Sequence, residues 1–106
     1  MPKYLFQGSY APDGVKGLIK SGASARVAVA TKLVESLGGK MESFYFCFGS
    51  DDFVAIADLP DNAAAVGLSA TVGASGAVRG RITPLITKEE ADQGFKRKAV
   101  YKAPGK

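Results

Sequence analysis

KMESFYFCFGSDDFVAIADLP, residues 40–60, is the stretch from which the fold of this chain can be read. Two runs rich in aromatic and branched side chains flank Gly49-Ser50-Asp51, a cluster with hairpin-turn chemistry. Over residues 40–48 the alternation puts Phe44, Phe46 and Phe48 on one side and Met41, Ser43, Tyr45 and Cys47 on the other. Over residues 52–59 it sets Val54 and Ile56 against Phe53, Ala55, Ala57 and Leu59. The hairpin is therefore apolar on both faces. Cys47, between two phenylalanines, is expected in the core with a raised thiol pKa.

Working outward toward the N-terminus, residues 3–10 predict a strand with Tyr4, Phe6, Gly8 and Tyr10 on one face and Leu5, Gln7 and Ser9 on the other. Residues 11–14 break it, and Asp13 has the chemistry to cap a short helix carrying Val15, Leu18 and Ile19. Ser24 would cap a second helix, whose Val27, Ala30, Val34 and Leu37 share one face until Gly38-Gly39. On the other side, Pro60-Asp61 stops the hairpin strand and opens a helix with a small-residue stripe at Ala64, Ala65, Leu68 and Val72. Gly73 and Gly76 end that helix in a plain connection, since no Lys-Ser or Lys-Thr pair follows to make a phosphate loop. Residues 77–86 predict the fourth strand, with Val78 and Ile82 opposed to Arg79, Arg81 and Thr83. Thr87 and Glu90 have capping-box spacing for a short charged helix.

The element order is βαββαβ with an appended C-terminal helix. It predicts an α+β, ferredoxin-like fold, an antiparallel four-stranded sheet with helices on one face. One domain covers residues 1–106, with a body at 3–87 and a C-terminal helix and basic tail at 88–106. Helices on one face leave the other face of this sheet uncovered, and its central residues are apolar. Leaving it wet would be costly, because each large side chain gains roughly 1.5–3 kcal/mol on burial. The expected solution is a homodimer or higher homo-oligomer, sheet face to sheet face, which makes a dimeric α/β-barrel; the C-terminal helix or tail folding back over the face is the alternative.

Composition excludes several chemistries. The 106 residues include no histidine and one cysteine, so Ser-His-Asp and Cys-His nucleophile pairs, imidazole-ligated metal and an intrachain disulfide framework are all ruled out. The reading carries no metal and no organic cofactor. No apolar run spans a bilayer, and the chain opens directly into a strand pattern, which points to a cytoplasmic protein. The net charge of +4 is a tail property. Residues 1–93 hold nine basic and ten acidic side chains, whereas residues 94–106 hold five basic and no acidic ones. A nucleic-acid partner is disfavoured, since Tyr101 alone accompanies those charges as a stacking platform.

Lys3-Tyr4-Leu5-Phe6-Gln7-Gly8-Ser9-Tyr10, Leu37-Gly38-Gly39-Lys40, the 49–52 turn leading into Val54-Ala55-Ile56-Ala57-Asp58-Leu59-Pro60-Asp61, and Gly76-Ala77-Val78-Arg79 together resemble the GYD domain family over residues 3–87. The resemblance implies the ferredoxin-like fold and sheet-to-sheet pairing, with no defined activity. It also implies kinship with a superfamily that includes haem-degrading enzymes, cofactor-free monooxygenases and small-ligand regulators. The missing histidine argues against haem. Gly49 and Asp52 match the family's turn, but Asp51 stands where its tyrosine would be.

A small oligomeric protein that binds a small ligand or serves an interaction role is the reading these features support. A cofactor-independent, monooxygenase-like enzyme is the alternative. For either, Asp52, Asp58 and Tyr45 are candidates in a pocket between helix and sheet, with Lys16, Lys20 or Arg26 holding an anionic group. Arg79 and Arg81, about 7 Å apart on one strand face, could clamp a small anionic ligand through paired hydrogen bonds or serve an interface or strand edge.

Overall fold

A computed structural model describes residues 1–106. The elements run β1 (Lys3–Tyr10), α1 (Pro12–Ser21), α2 (Ala23–Ser36), β2 (Lys40–Phe46), β3 (Phe53–Asp58), α3 (Asn62–Ala74), β4 (Val78–Leu85) and α4 (Lys88–Phe95). The sheet order is β2-β3-β1-β4, with every pairing antiparallel. This is the α+β, ferredoxin-like arrangement expected from the element order, with α1 and α2 together filling the first crossover.

Register assigns the two faces. Tyr4, Phe6, Gly8 and Tyr10 align with Ala57, Ala55 and Phe53 on one side and with Pro84, Ile82, Gly80 and Val78 on the other. This face lies under α2 and α3. Leu5 aligns with Ile56 and Thr83, and Gln7 with Val54 and Arg81, on the opposite face. The core is small: Tyr4, Phe6, Val34, Ala55, Ala57, Leu59, Ala65 and Leu68. The Tyr4 hydroxyl donates to Asn62 Oδ1 at 2.7 Å, so the one polar atom carried into this core is satisfied.

Five local expectations are corrected. Asp13 does not cap α1. The helix begins at Pro12, whose fixed φ suits the first helical position, and Ala11 precedes it without a side-chain cap. Ser24 does not cap α2, because Gly22 at φ 90° turns the chain from α1 straight into it. β2 ends at Phe46, leaving Phe48 98% exposed in the turn. An extra residue at Glu42 shifts the register between Met41 and Ser43, so Met41 shares the helix-covered face with Phe44 and Phe46. Finally, Cys47 is exposed, its Sγ 3.3 Å from the Asp51 carbonyl oxygen, because the strand has ended before it.

Two of the anticipated caps are present. The Asp61 carboxylate accepts from the Ala64 amide at 2.9 Å, and the Thr87 hydroxyl accepts from the Glu90 amide at 3.1 Å. α4 is thus a properly started helix, yet it buries no residue. It and the segment after it stand away from the body. The Cα radius of gyration is 17.0 Å, whereas a compact chain of this length has about 13 Å.

Candidate functional site

A cavity of about 150 Å³ lies between the sheet and the two covering helices. Ala30, Leu33 and Val34 of α2 and Leu68, Ser69 and Val72 of α3 form its walls, and Phe6, Phe44, Phe53, Ala55 and Ile82 form the floor. The space exists for a sequence reason. Gly8 and Gly80 face each other across β1 and β4, so no side chain rises from the middle of that part of the floor. A Cβ at Gly8 would come within 2.6 Å of the Arg79 carbonyl oxygen and 3.1 Å of the Phe53 ring, so only glycine fits.

Aromatic rings line one end. Phe44 stacks on Phe53 at 5.6 Å between centroids, and Tyr10 tilts against Phe53 at 5.5 Å. Tyr10 brings the cavity a hydroxyl. Burial pushes its pKa above the usual 10.0, and the Arg26 guanidinium nearby pulls it partly back. At neutral pH this end therefore offers an un-ionised hydroxyl, and the Arg26 cation lies near Tyr10 without lining the cavity.

Asp52 locks this end in place. Its carboxylate accepts from the Tyr10 amide at 2.9 Å, its own amide donates to the Gly8 carbonyl at 2.7 Å, and its carbonyl accepts from the Cys47 amide. One residue thereby ties the turn to the end of β1. Gly49, at φ 121°, occupies a conformation closed to most side chains. Asp51 makes a two-pronged ion pair with Arg81 at 3.0 and 3.2 Å.

The sequence candidates thus divide. Arg26 and Asp52 converge on Tyr10, and Arg81 borders the cavity with its guanidinium engaged by Asp51. Asp58 lies at the far end of β3 in an ion cluster, where Lys3 donates to it at 3.0 Å and to Glu42 at 2.6 Å. Those two hydrogen bonds raise the Lys3 pKa, with Glu42 the larger cause. Tyr45 is 68% exposed and aligns with Val54 on the opposite face. Arg79 shares that face, in register with Ser9, while Lys16 and Lys20 are exposed on α1. Tyr10 was the residue missed as a site candidate. Alternation along β1 already placed it on the helix-covered side, as the last aromatic before the break at Ala11.

No group of three or more His, Cys, Asp or Glu side chains is placed to hold a metal ion, and no helix is long and apolar enough to cross a membrane. Fold and cavity together define a ferredoxin-like α+β domain with an aromatic-lined pocket under its helices. The model of the GYD domain family matches residues 4–94, and the chain belongs to that family. The match reaches into α4. Comparison with curated proteins and with solved structures returns no match.

The Tyr10 environment has a consequence at high pH. A folded pKa above the unfolded value means the folded state holds that proton more tightly. The contribution is complete below about pH 10 and is lost as pH rises through the folded pKa. In thermal melts followed by circular dichroism, Tyr10→Phe should therefore lose less stability than the parent between neutral and strongly alkaline pH. Parallel losses in the two proteins would show that Tyr10 is not linked to folding in this way.

Proposed function

We propose that this protein binds one small, flat, largely apolar molecule, of aromatic-ring size with a hydroxyl or carboxylate at one end, and that it does so as a homodimer. The cavity carries the reading. A dry apolar cavity of this volume is sufficient for a benzene-sized guest, and its aromatic walls favour a ring over a branched chain. The Tyr10 hydroxyl would meet the polar end, and the Arg26 guanidinium, close to Tyr10 but outside the lining, would favour an anionic ligand through the field it sets there. A proton-abstracting reaction would need a base against the guest, and neither Asp52 nor Asp58 is among the lining residues. That favours binding over the cofactor-independent enzyme.

Fluorine NMR with fluorobenzene, para-fluorophenol and para-fluorobenzoate tests it. All three should broaden on adding protein, the two polar probes more than the hydrocarbon. Ala30→Phe, which fills the cavity from the α2 side, should weaken all three by at least about tenfold without loss of fold. Tyr10→Phe should weaken only the polar probes, by roughly 2- to 13-fold, the worth of one hydrogen bond. Absence of any response at millimolar probe would overturn the reading.

The assembly rests on the opposite sheet face. Leu5, Val54 and Ile56 are only half-covered there, with Tyr45 beside them and ion pairs toward the ends. An apolar centre with a polar rim is the composition of a dimer interface. The protomer exposes 7665 Å², whereas a folded chain of 11.0 kDa exposes about 5,600 Å². The excess, about 2,000 Å², is within the share one partner buries in a large homodimer interface. Two sheets paired this way form the dimeric α/β-barrel. The lone unpaired thiol suits a reducing compartment, and we place the protein in the cytoplasm.

A further inference from the structure

We propose that residues 86–106 form an exchanged arm that docks on a second copy of this chain, against the outer side of β2 and the adjoining turn. This rests on the homodimer reading and adds to it the segment that closes the assembly. Ile86, Phe95, Val100 and Tyr101 are 61%, 84%, 108% and 78% exposed. Four large apolar side chains within sixteen residues are left mostly exposed by their own protomer. The arm is nevertheless built: Thr87 caps α4, and the family match extends to residue 94.

The receiving surface is the other unsatisfied edge of the same sheet. Phe46 is 37% exposed and Phe48 98%, at the end of edge strand β2, while the arm leaves edge strand β4. Two sheets related by a two-fold axis along the strands set β4 of one copy beside β2 of the other and antiparallel to it, so the arm starts at the Lys40 end of the partner's β2 and reaches Phe46 and Phe48 by running along that strand for about 20 Å. Apolar contact, not charge, sets this placement: the carboxylates next to Phe48 are already held, Asp51 by Arg81 and Asp52 by the Tyr10 amide. The protomer's surface excess is of the size a stable dimer needs, and the arm supplies part of it.

Cys47, the one cysteine and exposed between Phe46 and Phe48, makes the test direct. Full-length chains in light and heavy nitrogen are mixed, labelled at Cys47 with a benzophenone maleimide, irradiated and digested. Cross-links from Cys47 of one isotope to arm peptides of the other are expected. Phe95→Ser combined with Val100→Ser should abolish them and weaken dimerisation by at least about tenfold in sedimentation. Arm cross-links confined to one isotope, or none at all in a sample that sediments as a dimer, would overturn the arm and leave the dimer standing. A sample that sediments as a single chain at micromolar concentration would overturn both. Capture of the arm only by vesicles of anionic lipid would mark it as a membrane contact and overturn the exchange.

Discussion

Ile56→Arg is expected to convert the proposed homodimer into a folded single chain. Ile56 lies on central strand β3, aligned with Leu5 on one side and Ser43 on the other, in the middle of the face that α2 and α3 leave open. In a lone protomer an arginine there can extend into water at little cost, so the fold should survive. In the paired form the two-fold axis brings two such cations close together in a desolvated layer. Like charges across an interface cost several kcal/mol, and about 3 kcal/mol already corresponds to more than a hundredfold in the dissociation constant. Sedimentation velocity at micromolar concentration should show the mass falling from twice 11.0 kDa to once that value. Val66→Arg, on the outer side of α3 where the native residue is 67% exposed, should leave it unchanged. An Ile56→Arg chain that still sediments as a dimer would exclude this face as the interface.

Gly39→Ala should be the most damaging small substitution in the protein. A Cβ at this position would lie 2.3 Å from the Asp58 carbonyl oxygen, 2.8 Å from Leu59 Cδ2 and 3.0 Å from Val34 Cγ1. The first of these atoms is backbone at the end of β3, and the other two belong to core residues that are 0% and 3% exposed. None can swing away as a flexible tip could, so the α2–β2 junction has to separate from the core. Overpacking of this sort costs about 3 kcal/mol or more. For a chain of this length that lowers the melting temperature by well over 10 °C, at roughly 4–8 °C per kcal/mol. Gly17→Ala is the contrasting case. Gly17 sits inside α1 with nothing within 4 Å, and alanine there should stabilise by about 0.5–1 kcal/mol. Thermal melts of the two variants should move in opposite directions, and a neutral Gly39→Ala would contradict the packing described for the core.

Much of the fold was legible because its determinants are local. Alternation in β1, β3 and β4 set their faces, since side-chain direction along a strand depends only on parity. Asp61 and Thr87 marked helix starts, because a cap bonds an amide three residues away. Where two local signals competed, the reading failed. Asp13 and Ser24 have capping chemistry, but Pro12 and Gly22 had already set the backbone at those points. The candidate site was harder to see. Arg26 and Asp52 were recognised as functional types, but nothing near either in sequence shows that they meet at Tyr10.

Residue order and short-range chemistry alone were enough for the element sequence, the antiparallel sheet and the family; the open face was read as more apolar than it is, since Met41 and Cys47 do not lie on it. The extra residue at Glu42, the exposure of Cys47, the cavity above Gly8 and Gly80, and the meeting of Tyr10 with Asp52 came only from the folded chain. The physical difference is one of range. Periodicity and capping act over a few neighbours. Tyr10 and Asp52 are 42 positions apart, and the bond between them exists only once β1 and β3 have taken up their register.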